Sequence, residues 1–206
     1  MVARPHDEEM PMDADFWDTR YRSRGRLFSG NPNGVLVTEI AGVPPGQALD
    51  VGCGEGADAV WLAECGWQVT AVDIASTALQ RAAAADRSGR IAWARADLNV
   101  TPPPADAFDL VSAHYFPLRR LPDHAALRGL LDAVTPAGTF LFVGHDLAGL
   151  TPEDTHGIDL ADYYQPSDIA DLLDNNWSIQ INETRKRTTS ASHHTHDTVL
   201  RAKRLH

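Results

Sequence analysis

Residues 48–73 read ALDVGCGEGADAVWLAECGWQVTAVD. An apolar run of strand length, 48–51, meets a turn with glycine at 52, 54 and 56. Residues 57–64 then carry a helical pattern stopped by Gly66, and a second strand-sized run, 68–72, leads to Asp73. Glycine suits a sharp turn where backbone must approach a ligand without a Cβ in the way. A helix that opens directly after such a turn offers free N–H groups to an anion or carboxylate. Asp73 lies about 20 residues beyond the first glycine, where a carboxylate can accept two hydrogen bonds from a ribose diol. The stretch therefore predicts a strand–turn–helix–strand unit that binds a nucleoside-containing cofactor.

The same alternation continues outward. Downstream, Ser76 is placed to cap a helix over 76–85, followed by a strand over 91–94 that ends near Asp97 and another over 108–113. Asp123 then caps a helix running to about 134, a strand covers 139–143, and Ser167 caps a helix through 173. Two final strands, 177–187 and 197–204, are joined by a polar tip. Strands alternating with helices signal an α/β fold with a parallel sheet. The last connection is too short to hold a crossover helix, so the last strand should run antiparallel. Upstream, Phe16, Trp17 and Tyr21 recur at helical spacing, and a second helix is expected over 35–41.

A chain of 206 residues with 43% hydrophobic content suits one domain with a buried core. Its longest apolar runs are strand-sized, far below the roughly 20 residues of a spanning helix, so no membrane partner is expected. The first 14 residues are acidic, contain proline and lack an apolar signal region; a frayed tail is expected there. A net charge of −10 argues against a nucleic-acid partner, which needs clustered Lys and Arg. The basic run at 185–187 reads as a solvated strand end. Cys53 and Cys65 are isolated, which suggests free thiols and a cytoplasmic setting.

Gly52, Gly54 and Ala57 also satisfy the dinucleotide pattern, which leaves an NAD-dependent oxidoreductase open. Against it stand the extra Gly56, the absence of room for a substrate domain, and Asp50, a carboxylate placed where a pyrophosphate would be repelled. A catalytically silent cofactor-binding module is a third reading.

LDVGCGEG followed by VTAVDIA resembles motif I and the next acidic motif of the class I S-adenosylmethionine-dependent methyltransferases; RADLN and FDLVSAHYF resemble the segments that follow. FWDTRYRSRGRLFSGNPNGVLV resembles the N-terminal cap of small-molecule members of the tellurite-resistance and thiopurine type. The resemblance implies a Rossmann-like three-layer α/β sandwich with a mostly parallel seven-stranded sheet. It implies one methyltransferase domain over 15–206, with a helical cap over 15–46 and the core over 47–206. The implied cofactor is S-adenosyl-L-methionine, converted to S-adenosyl-L-homocysteine, and the implied partner is a small-molecule substrate, with the protein a monomer or homodimer.

By the same resemblance, Gly52 and Gly54 pass under the methionine and ribose, and Asp50 lies near the ammonium. Asp73 binds the ribose, Ile74 lies against adenine, and Asp97 and Leu98 meet the base. Ala113 and His114 reach the cofactor from the end of the fourth strand. In the cap, Trp17 is expected to pack, Phe28 to face the acceptor, and Tyr21 to do either while closing over the cofactor. Candidate acceptor contacts at the carboxyl ends of the strands are His145, Tyr163 and His196, with His156, His193 and His194 also in range. The histidines at 193, 194 and 196 lack a completing carboxylate or cysteine at familiar spacing, so a polar tip is expected there and no metal. His114 is the candidate general base, because a neutral imidazole is available near neutral pH.

Overall fold

A computed structural model of the chain describes residues 12–148, 159–187 and 195–206. The elements are α1 (Ala14–Arg22), α2 (Gly34–Ile40), β1 (Gln47–Val51), α3 (Ala57–Glu64), β2 (Gln68–Asp73), α4 (Ser76–Ala85) and β3 (Ile91–Arg95). They continue with β4 (Phe108–His114), α5 (Ala125–Asp132), β5 (Val134–His145), α6 (Pro166–Leu172), β6 (Trp177–Lys186) and β7 (His196–Arg204). The strands form one seven-stranded sheet in the order β3-β2-β1-β4-β5-β7-β6. Strands β1 to β5 pair in parallel, while β7 runs antiparallel to β5 and β6.

Strand periodicity divides the apolar side chains between two layers. Leu49 and Val51 join Leu127 and Leu130 of α5 and Ile169 of α6. Ala48 joins Leu36 and Ile40 of α2 and Leu62 of α3 on the opposite face. In β5, Phe140 and Phe142 alternate with Leu141 and Val143 between the same two layers. Each fully buried side chain of this size contributes about 1.5–3 kcal/mol, so burial on both faces holds the three-layer sandwich together. The chain steps from β1 to β2 on one side, and β4 lies on the other side of β1. This reversal opens a crevice at the carboxyl ends of β1 and β4, where such sheets place ligands.

Several expected boundaries differ, each for a local reason. Ser76 does not cap α4; Ala75 occupies the cap position, and its N–H is held by the Asp73 carboxylate. Ser167 does not cap α6, because Gln165 and Asp168 form a capping box around Pro166. Asp123 does not cap α5 either: Asp123 and His124 both take left-handed backbone, and the chain turns before the helix begins. Strand β5 starts at Val134, well before 139, through an irregular register opposite Phe108 and Leu110. The basic run at 185–187 is not a solvated end. Arg185 pairs with buried Glu39 at 2.6 Å, Arg187 pairs with buried Asp197 at 3.5 Å, and only Lys186 between them is exposed. No helix among the described residues is long and apolar enough to cross a membrane.

Candidate functional site

The chain leaves β1 through Gly52 and Gly54, with φ of +67° and +54°. These left-handed conformations strain any residue with a Cβ. Space is equally restrictive: a Cβ on Gly52 would lie 2.7 Å from the Phe116 ring, and one on Gly54 would lie 2.8 Å from the Tyr21 hydroxyl. Gly56 has a different task, since a Cβ there would meet Trp93 and Ala82 where α3 and α4 pack.

Asp73, at the tip of β2, locks this turn. One carboxylate oxygen accepts from the Gly54 N–H at 2.8 Å and the other from the Ala75 N–H at 2.7 Å. Burial pushes its carboxyl above the usual range, opposed by these backbone donors. Asp50 is 2% exposed, and its Oδ2 has no hydrogen-bond partner. Burial raises the Asp50 carboxyl well above its ordinary value, and the nearby Asp58 and Asp73 charges add to the shift. An uncompensated buried acid is destabilising until a cation or donor reaches it. Asp58, by contrast, is satisfied, accepting from the Asn33 backbone N–H and side-chain amide, both at 2.7 Å.

The N-terminal segment is tied to the same turn. Asp18 of α1 is buried and accepts from the Thr77 N–H at 2.7 Å, satisfying a donor at the start of α4. Glu55 accepts from the Leu27 and Phe28 N–H groups and pairs with Arg81 at 3.0 Å. These bonds bring Trp17, Tyr21 and Phe28 into a row, with ring centroids 6.3 and 6.1 Å apart. Tyr21 is buried beneath it, whereas Phe28 is 55% exposed at the rim.

The opposite wall comes from strand ends. His114 closes β4, is 8% exposed, and has no hydrogen-bond partner on either ring nitrogen. Burial lowers its pKa, with Asp58 and Asp197 opposing, so the imidazole is neutral at physiological pH. Tyr115 follows with φ of +56°, a strained value for a bulky residue. Its hydroxyl donates to Asp197 Oδ1 at 3.0 Å, and His145 stacks on its ring at 4.1 Å between centroids. The Arg187 guanidinium lies 5.1 Å from the same ring, and His145 Nδ1 is 3.9 Å from Asp197 Oδ1.

These walls enclose a cavity of about 480 Å³. Of the residues singled out from sequence, Tyr21, Phe28, Asp50, Gly52, Gly54, Asp73, Ile74, Asp97, Leu98, His114 and His145 line it. Trp17, expected to pack, lines it as well. Ala113 does not; it faces the core, fully buried between the sheet and α5. Tyr163 lies instead beside Arg119, which bridges to it, in a separate small depression. His196 turns toward the Thr195 hydroxyl and stays off the cavity wall. His156, His193 and His194 lie outside the described residues. Among the described residues, no group of three His, Cys, Asp or Glu side chains is arranged to hold a metal ion.

Sequence reasoning missed Tyr115, Phe116, Asn33 and Arg187. Tyr115 and Phe116 directly follow the expected fourth strand, so their position was the available signal. The charge of Arg187 was visible, but its inward face depends on Asp197 across the hairpin.

Residues 48–138 match the family model described as a methyltransferase domain. An uncharacterized methyltransferase of Mycobacterium bovis is 40% identical over 96 residues, 46% of this chain and 48% of that protein. The chain spans less than half the length of the curated relatives it matches. A structure from work on conversion of a disulfide bond into a thioacetal group during echinomycin biosynthesis has a TM-score of 0.72 at 24% identity, covering 93% of this chain and 91% of that one. An S-adenosylmethionine-dependent methyltransferase from Mesorhizobium loti has a TM-score of 0.66 at 23% identity, covering 82% and 96% of the two chains. Both share the fold.

Proposed function

We propose that this chain, whose residues 48–138 form a methyltransferase domain, uses S-adenosylmethionine to methylate a small-molecule acceptor in the cavity above the glycine turn. One observation carries the reading: the buried Asp50 carboxyl with an unpartnered oxygen at the carboxyl end of β1. A cationic ligand group satisfies it, whereas the pyrophosphate of a dinucleotide is repelled. The glycine cradle, which a Cβ at 52 or 54 would fill, and Asp73 at the tip of β2 fit the amino-acid and ribose portions of the same ligand. The Mesorhizobium protein of the same fold is named for this cofactor.

S-Adenosylmethionine supplies, when bound, a methyl group on a positively charged sulfur that departs as a neutral thioether. The chain's own residues bind, orient and exclude water. Asp73 keeps acceptor capacity beyond its bonds to Gly54 and Ala75, and offers it to the ribose hydroxyls. Ile74, Asp97 and Leu98 border the base. Trp17, Tyr21 and Phe28 cover the opening. Holding two reactants in line in this way is worth on the order of 7–11 kcal/mol. His114 is neutral and unpartnered, so its ring can take a proton from an acceptor that arrives protonated, an effect of about 10²–10⁴-fold. A 480 Å³ cavity that also holds the cofactor leaves room only for a small acceptor.

The test has two parts. S-Adenosylhomocysteine should raise the melting temperature and NAD should not; the reverse sinks the proposal in favour of a dehydrogenase. Incubation with S-adenosylmethionine and a panel of thiol, amine, phenol and chalcogen acceptors should yield a methylated product by mass spectrometry. Tight cofactor binding without any product would mark a silent binding module.

A further inference from the structure

The charges lining the cavity are unevenly distributed. Five carboxylates, Asp50, Glu55, Asp58, Asp73 and Asp97, belong to the glycine-turn side and its borders. Among the described residues lining the cavity, Arg187 is the one guanidinium or ammonium. It stands on the strand-end wall, with His145 on the far end of the same aromatic stack. Its side chain is 15% exposed, so it is held in place at the cavity boundary. Asp197, only 3% exposed, anchors Nε at 3.5 Å, and the Tyr115 ring supports the guanidinium at 5.1 Å. A planar guanidinium fixed from behind by a buried carboxylate is pre-organised to receive a second oxyanion through its remaining fork of donors.

Resting on the reading that the glycine-turn half holds S-adenosylmethionine, we propose that Arg187 forms an anion subsite and that the acceptor is a small molecule carrying a carboxylate. An anionic group placed anywhere else in the cavity meets acidic walls. Placed against Arg187, it leaves the rest of the acceptor beside His114, the unpartnered buried imidazole on the same wall. Asp197 is then a positioning residue: it orients Arg187 and Tyr115 and does not touch the acceptor.

The probes are benzoate and its neutral isostere benzamide, titrated by ligand-observed NMR into protein saturated with S-adenosylhomocysteine. Benzoate should bind about tenfold more tightly, the size of one charge-assisted hydrogen bond. The preference should shrink with added salt. It should vanish in Arg187→Gln and survive in part in Arg187→Lys, both checked for folding by circular dichroism. Equal binding of the two probes to the native protein, including no binding of either, overturns the proposal without need of a variant. So does a benzoate preference that persists in Arg187→Gln. A matching loss of S-adenosylhomocysteine affinity in that variant would assign the guanidinium to the cofactor's own carboxylate, which also overturns it. Failure of the parent reading shows separately: S-adenosylhomocysteine then leaves the native melting temperature unchanged, and the benzoate preference is read on the protein alone.

Discussion

The glycine-turn half of the cavity draws Asp50, Gly52, Gly54 and Asp73 from a single strand–turn–helix–strand segment. The facing wall collects Tyr115, His145, Arg187 and Asp197 from the ends of four strands, and 82 positions separate Tyr115 from its partner Asp197. The first half is shaped by backbone: left-handed glycines and N–H groups locked onto Asp73. The second is shaped by side chains meeting at one oxygen, Asp197 Oδ1. Their polar balance differs too, since Asp50 stays unsatisfied while Asp197 is surrounded by partners. A cofactor shared among relatives calls for a fixed backbone mould. An acceptor that differs between them calls for a wall that side-chain replacement can reshape.

The comparison breaks first at Asp73. Replacing Asp73 with Ala removes the ligand's acceptor and releases two backbone N–H groups, so S-adenosylhomocysteine affinity should fall about 30- to 100-fold, the worth of about 2–3 kcal/mol. Calorimetric titration measures it, and benzoate binding should be unaffected. An undiminished affinity would put the cofactor elsewhere. A smaller effect is expected from Gly52→Ala, read against Gly42→Ala. Both glycines have left-handed φ, +67° and +79°, so both variants should lose about 1–2 kcal/mol of stability to backbone strain. Only at position 52 does the new Cβ meet a neighbour, Phe116, whereas nothing lies within 4 Å of one at 42. Gly52→Ala alone should therefore weaken cofactor binding as well; equal affinities in the two variants would mean that the cradle is not where the ligand sits.

Tyr115→Phe probes the other half. It takes one donor from the buried Asp197 and should lower unfolding free energy by about 1–2 kcal/mol in urea titration. S-Adenosylhomocysteine affinity should stay within twofold. A tenfold loss there would mean that the two halves are not separable.

What could be read from sequence follows the same division. The β1–α3–β2 unit was legible because its periodicity, glycines and acid are contiguous, and the antiparallel last strand followed from a connection too short for a helix. The helix caps were not, because nearby carboxylates took over the job. Asp73 holds the Ala75 N–H, and Asp18 reaches from α1 to the Thr77 N–H, so Ser76 has nothing left to cap. The early start of β5 was concealed by Pro136 and Gly138, residues that ordinarily mark a turn. Arg187 looked solvated because a charge run carries no sign of a partner across a hairpin. Trp17 looked like packing because helical spacing alone does not say that its helix forms a cavity wall.

The subtlest contrast between the halves is the sign of their pH dependence. Burial raises the Asp50 carboxyl, so as pH climbs past the ordinary carboxylate range the unfolded chain has released this proton while the folded one retains it. Asp50 thus contributes stability at low pH that is lost as pH rises through its folded value. Burial lowers the His114 pKa, so the reverse holds: below about pH 6.5 the unfolded chain takes up a proton that the folded chain refuses. Stability from this group is complete above that pH and declines as pH falls. Urea-derived unfolding free energies across pH, taken as differences between native protein and Asp50→Asn or His114→Gln, isolate each contribution. Neither slope can exceed about 1.4 kcal/mol per pH unit, the limit for one proton. Bound S-adenosylhomocysteine sharpens the test: an ammonium beside Asp50 stabilises the carboxylate, so binding should release a proton, visible as a heat that varies with buffer ionisation enthalpy. Asp50→Asn should abolish that release while His114→Gln retains it, and the same release from both variants would place the titrating group outside the glycine turn.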